Sequence, residues 1–157
     1  MIYPVKIENI DSSFEYFDEV NLLIEESKKY LSAHVWCRSV KQGWLFTNIG
    51  HTINIFLYEI ENEQSPDDNF IWTMVGDLPA IYLDTFGVKT TKEVIENYIG
   101  LADDWIYHVE SDQSIEHCFP FQANTSNESI NMLKIRIQLL RDNILPNIKD
   151  IGYDVVL

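Results

Sequence analysis

The sequence predicts an α+β fold: an antiparallel five-stranded sheet flanked by three helices, with a possible extra C-terminal edge strand. Three observations carry this expectation. Helical and strand periodicities are segregated along the chain instead of alternating, which favours α+β over a doubly wound parallel sheet. The connections between candidate strands are short, whereas a parallel crossover needs a dozen or more residues. One candidate strand is apolar on both parities, as a strand covered on both faces must be.

Taken in order, residues 13–31 place Phe14, Phe17, Val20, Leu23, Ile24 and Leu31 at three- and four-residue spacing, with Ser12 and Glu15 at capping-box spacing. Residues 33–40, 43–50, 52–60, 69–76 and 79–84 are rich in β-branched and aromatic side chains and read as five strands. Gln42-Gly43 and Gly50-His51 predict tight hairpins, and Ser65-Pro66-Asp67-Asp68 marks a longer loop. Within 52–60, Ile53, Ile55 and Leu57 alternate with Phe56, Tyr58 and Ile60, so this strand is expected to be central. Residues 91–109 form the second helix, with Thr90 and Glu93 as its box. Residues 126–145 form the third, with Thr125 and Glu128 at the same spacing and Pro146 as a stop. The tail, with Tyr153, Val155 and Leu157 alternating, is the candidate extra edge strand.

The chain has 157 residues, 46% of them hydrophobic, enough for one domain over residues 1–157 with a sizeable core. It carries 25 acidic against 11 basic side chains, a net charge of −14. Such a balance argues against nucleic-acid binding, which needs clustered Lys and Arg. No apolar run reaches the roughly 18–20 residues of a membrane span. Lys6, Glu8 and Asp11 stand where a signal peptide would be apolar, so the expectation is a cytoplasmic protein without a membrane partner.

The charge is concentrated. Residues 59–116 hold fourteen acids against Lys89 and Lys92, which is −12 of the total −14. A concentrated negative field attracts basic partners and speeds their encounter. Glu59, Glu61 and Glu63 alternate and would share one strand face. With Asp67 and Asp68 they form one candidate partner-binding group, and Asp103 and Asp104 form a second.

No hydrolase elbow, phosphate loop, dinucleotide fingerprint or H-E-x-x-H motif occurs, and the histidines fall in no acid/base pattern. The expectation is therefore a non-enzyme with no cofactor and no catalytic residues. Zinc held by His34, Cys37, His117 and Cys118 is disfavoured: His34 and Cys37 have opposite strand parity, and His117-Cys118 lacks a knuckle's spacing. Two cysteines make no disulfide framework at this length.

The segments Phe56-Leu57-Tyr58-Glu59-Ile60, Asp67-Asp68-Asn69-Phe70-Ile71-Trp72-Thr73-Met74-Val75-Gly76-Asp77-Leu78-Pro79, Ala80-Ile81-Tyr82-Leu83-Asp84 and Thr90-Thr91-Lys92-Glu93-Val94 to Ala102-Asp103-Asp104-Trp105 carry a resemblance. Over residues 35–106 the chain resembles small bacterial immunity proteins of contact-dependent and polymorphic toxin systems, most strongly in the W-x-x-V-G-D-L-P turn. The resemblance implies a cytoplasmic protein, monomeric or weakly self-associating, that neutralises a cognate basic toxin domain such as a nuclease. It carries over no catalytic residues. The rival expectation is a small enzyme or ligand-binding domain with a pocket between sheet and helices, near Cys37, His51 or His117.

Overall fold

A computed structural model describes residues 2–67 and 69–157. It contains a five-stranded antiparallel sheet and three α-helices, the α+β arrangement expected. The strands are β1 (Val5–Lys6), β2 (Cys37–Ile49), β3 (Ile53–Asn62), β4 (Phe70–Gly76) and β5 (Leu78–Asp84). They lie in sequence order across the sheet, so each strand pairs with its chain neighbour. The helices are α1 (Phe17–Ser32), α2 (Thr91–Glu110) and α3 (Asn127–Leu139), the last extended by a π-helical turn over Leu140–Ile144.

β3 is central, as its double apolar parity requires. Its odd residues Ile53, Ile55 and Leu57 join Trp72 and Met74 beneath Val94, Tyr98 and Trp105 of α2 and Ile130, Leu133 and Ile137 of α3. Its even residues Phe56, Tyr58 and Ile60 join Ile71 and Val75 against Val20, Leu23, Ile24 and Leu31 of α1. The result is three layers, each sheet face closed by helices. Each large apolar side chain so buried contributes about 1.5–3 kcal/mol.

The strand count matches the expectation, but its make-up differs. Residues 33–40 and 43–50 are not two strands joined by a hairpin. Cys37–Ile49 is one strand whose register against β3 shifts at three places. Gly43 serves packing there instead of a turn: a Cβ would lie 2.5 Å from Tyr58 Cδ1 and 2.7 Å from Ile7 Cδ1, so only glycine lets both side chains cross the strand. The fifth strand is the N-terminal pair Val5–Lys6, opposite Leu45 and Trp44. The expected hairpin at Gly50 does form. Gly50 has φ +52°, and the buried Asn54 amide donates to its carbonyl at 3.0 Å while accepting from Asn48 at 2.6 Å.

The caps shift in two of three helices. α1 begins at Phe17 after a left-handed Tyr16 that makes no side-chain cap, so the Ser12–Glu15 spacing does not mark its start, and Ser13 N donates to Asp11 Oδ1 in the turn ahead of it. α3 is capped by Ser126, which accepts from Ser129 N at 3.2 Å, one residue later than the Thr125–Glu128 spacing predicts. α2 starts as expected, with Thr90 Oγ1 accepting from Glu93 N at 3.3 Å. The Glu93 carboxylate accepts from Lys89 N, one residue ahead of the cap.

The C-terminal tail adds no sheet strand. Gly152 makes a single antiparallel bridge to Thr90, and Tyr153–Val156 curls into a 3-10 turn. Thr91 instead binds the tail twice through its side chain, to Lys149 O and Ile151 N, while Asp150 accepts from Lys92 N in the first turn of α2. A carboxylate at a helix start satisfies an orphan donor and complements the dipole.

Two substitutions test this packing. Gly43→Ala should destabilise the fold by about 1–3 kcal/mol through overpacking against Tyr58 and Ile7. Thr73, fully buried on the α1 face, has a hydroxyl without a hydrogen-bond partner among the described residues. Thr73→Val should therefore raise stability by about 1 kcal/mol. Urea unfolding of both variants beside the parent chain reads the two opposite signs.

Candidate functional site

The β3–β4 hairpin end and the outer edge of β5 bring polar and aromatic side chains together. At the hairpin, Asn62 Oδ1 accepts from Gln64 N and Ser65 N, both at 3.0 Å, which orders the turn after β3. Glu63 N donates to Trp36 O, tying the turn to the chain just ahead of β2. A groove of about 430 Å³ runs from here to the β5 edge, with Trp36, Gln64, Tyr82, Asp84 and Phe119 in its walls.

Its rings are in mutual contact. His34 packs against Tyr82 at 4.7 Å and Trp36 at 4.9 Å, and Trp36 lies 5.0 Å from Tyr82. Tyr82 in turn meets Phe119 at 5.3 Å, and Phe119 meets Phe121 at 5.0 Å. Trp36 and Tyr82 belong to the α1 layer and Phe119 to the α2 layer, so the Tyr82–Phe119 contact joins the layers across the β5 edge. Trp36, Tyr82 and Phe119 are each half-buried, in contrast to Trp72 and Trp105 in the core.

The expected partner-binding carboxylates divide into distinct environments. Glu59 is half-buried and accepts from Gln42 Nε2 at 3.3 Å. Glu61 is exposed but lies 3.6 Å from Arg38 and accepts from Ser39 Oγ. Glu63 and Asp67 are exposed and have no ion-pair partner among the described residues. Asp68 lies outside the described residues. On α2, Asp103 pairs with Arg141 at 2.8 Å, and Asp104 Oδ1 lies 3.4 Å from His108 Nδ1.

The acidic middle of the chain is thus partly neutralised by its own C-terminal third. Lys134 pairs with Glu110 and Arg136 with Asp77, both at 2.6 Å, alongside the Arg141–Asp103 pair. Such exposed pairs each contribute only about 0–1 kcal/mol, so their larger effect is local charge cancellation. Fewer carboxylates are left unpaired than the sequence count implies.

A larger cavity, about 610 Å³, lies between α1 and α3 beside the start of β5, with Tyr30, Pro79, Trp105, Met132 and Arg136 among its walls. Cys37, His51 and His117, where a pocket is expected from sequence, do not line it. The start of β5 is partly covered here: Tyr98 Oη donates to Pro79 O at 2.7 Å, and Arg136 Nε donates to Asp77 O, just ahead of the strand, at 3.0 Å. Pro79 itself has no N–H to offer a passing strand.

The two cysteines and two histidines weighed for zinc do not converge. Cys37 sits in the α1 layer, with His34 among the rings beside it, whereas Cys118 sits in the α2 layer. Cys118 instead meets Asp104 and His108, and the ligand atoms of these three lie within 4.8 Å of one another. Only the i, i+4 spacing of Asp104 and His108 was visible in sequence. The return of Cys118 to that helix face has no periodic signal.

No protein-family model, no curated protein and no solved structure matches this chain. Among the described residues, no helix is long and apolar enough to cross a membrane.

The buried phenols around this site generate a pH prediction. Burial raises Tyr30 well above the ordinary 10.0, with the neighbouring Tyr82 adding to the shift. Burial likewise raises Tyr98, reinforced by Tyr30, and Tyr58, where the Ser27 hydroxyl contact opposes part of the rise. The unfolded phenols ionise near 10.0 while the folded ones keep their protons. The unfolded state therefore binds fewer protons above that pH, and unfolding free energy falls as pH rises. The urea midpoint should hold steady from about pH 6 to 8 and decline above about pH 10. A midpoint unchanged through about pH 11 would contradict this assignment.

Proposed function

We propose that this chain is an immunity protein that binds and neutralises a basic toxin domain, capturing it at the β3–β4 hairpin end and the adjoining aromatic groove. The supporting observation is a juxtaposition: Glu63, exposed and without an ion-pair partner among the described residues, donates its N–H to Trp36 O and lies between Asn62 and Gln64 of the groove wall, which half-buried Trp36, Tyr82 and Phe119 share. Interfaces are built in this way, with aromatic anchors at the centre and charges at the rim. The rim carboxylates steer the encounter with a cationic surface, and the rings hold the docked complex. If the toxin is a nuclease, the same carboxylates occupy the place of the phosphates it would otherwise contact.

Glu61 serves this face in exchange with Arg38, since a toxin cation can replace the guanidinium 3.6 Å away. Glu59, held by Gln42, supports the strand end. Asp103 contributes less, because Arg141 already pairs with it, and Asp104 lies 3.4 Å from His108 Nδ1. A ligand-binding reading rests on the 610 Å³ cavity, which lies in the roughly 300–1,000 Å³ range of small-molecule sites. A saturable thermal shift with one metabolite would favour that alternative.

The protein to test is the C-terminal domain encoded in the reading frame immediately upstream, expressed with and without this chain. It should arrest a bacterial host alone and be silenced by co-expression. Glu63→Lys with Asp67→Lys should slow association about tenfold or more at low salt, with a smaller change in dissociation. Trp36→Ala or Tyr82→Ala should act mainly on dissociation and weaken binding by about 2 kcal/mol or more. A basic upstream domain that does not bind, or binding kinetics untouched by both sets, would refute the reading.

A further inference from the structure

We infer that Asp104, His108 and Cys118 form a binding site for a zinc ion that fastens the segment after α2 onto the helix. Asp104 and His108 stand four residues apart on α2 and so face the same way. After Glu110 the chain leaves the helix, turns at Ile115–Cys118 through a 3.1 Å backbone hydrogen bond, and delivers the Cys118 sulfur to that face. One thiol, one imidazole and one carboxylate then lie with their ligand atoms within 4.8 Å of one another.

The donor set selects the ion. Calcium and magnesium take oxygen ligands, whereas zinc accepts sulfur, nitrogen and oxygen together. Zinc bonds of about 2.0–2.3 Å place neighbouring tetrahedral ligands roughly 3.5 Å apart. Side-chain movements on the order of 1 Å close the remaining distance, and the exposed Asp104 carboxylate has room to make them, while His108 Nδ1 lies 2.7 Å from the Asp104 carbonyl oxygen. Cys118 is buried at 8% exposure while the Asp104 side chain is 53% exposed, so the ion has an open path on the carboxylate side. Three protein ligands leave the fourth position to water.

Binding is a proton exchange: the thiol loses its proton to solvent, the sulfur–zinc bond forms, and no electron changes hands. Burial first, and the adjacent Asp104 carboxylate second, push the Cys118 thiol up in the ion-free chain. The same negative neighbour that disfavours a bare thiolate favours a divalent cation between them. The residue after Cys118 is Phe119, whose ring meets Tyr82, so the ion would also steady one wall of the aromatic groove.

Cobalt(II) is the probe, titrated into the reduced full-length chain. One equivalent should produce a sulfur-to-cobalt charge-transfer band in the near ultraviolet, and zinc should bleach it by displacement. Cys37→Ser should keep the band and Cys118→Ser should abolish it. His108→Gln and Asp104→Asn, both on the open side of α2, should each weaken cobalt binding about tenfold or more, by analogy with the losses seen when metal-site partners are removed. These two variants keep the test decisive if Cys118→Ser fails to fold. No saturable band, a band that survives in Cys118→Ser, or affinity unchanged in both α2 variants would overturn the assignment.

Discussion

A strand with no face to spare for water governs this architecture. β3 presents Ile53, Ile55 and Leu57 to one side and Phe56, Tyr58 and Ile60 to the other, and all six are fully buried. Such a strand is stable only in the middle of a sheet and only between two covering layers. α1 must therefore close one face while α2 and α3 close the other. The sheet's edges then fall to β1 and β5. β1 is only two residues long, and the N-terminal half of β2 extends beyond it, whereas β5 lies where the two helical layers approach one another.

That placement explains why the aromatic groove forms at the β5 edge. Rings rooted in the two layers meet there, Tyr82 from one side and Phe119 from the other, with the irregular segment after α2 lying over the strand. Edge strands invite unwanted pairing, and the start of this one is protected by Pro79 and by side-chain donors to the carbonyls of Asp77 and Pro79. The cover is side chain and loop instead of another strand. It leaves partly exposed rings, which is the kind of surface that partners use.

Charge follows a second logic. Fourteen acids in residues 59–116 repel one another, and the chain answers with cations from its last third: Lys134, Arg136 and Arg141 each reach an acid of that stretch. These pairs follow from packing α3 and its π-helical turn near α2 and the β4–β5 turn. At the end of β3 the nearby cation is Arg38, 3.6 Å from Glu61, while Glu63 and Asp67 have no ion-pair partner among the described residues. A sequence stretch that looks uniformly acidic thus sorts into ion-paired carboxylates, such as Glu61, Asp77, Asp103 and Glu110, and unpaired ones, such as Glu63 and Asp67.

How much was legible follows the range of the interactions. The α2 cap, the apolar stripe of α2, the Gly50 turn and the two-sided β3 are local patterns, and each was readable from residue spacing. Gln42-Gly43 misled because a glycine that admits a tyrosine ring looks the same in sequence as one that turns the chain. The edge position of Val5–Lys6 and the docking of the tail onto Thr91 depend on partners about 40 to 60 residues away. So does the sorting of carboxylates into paired and unpaired. The meeting of Cys118 with Asp104 and His108 spans fewer residues, but it depends on an aperiodic loop. By itself the sequence determined the layered α+β fold and the excess of negative charge, because periodicity and composition are properties of neighbouring residues. Only the tertiary structure decided which charges stay free and which side chains share a site, because loop paths and long-range contacts leave no repeating trace along the chain.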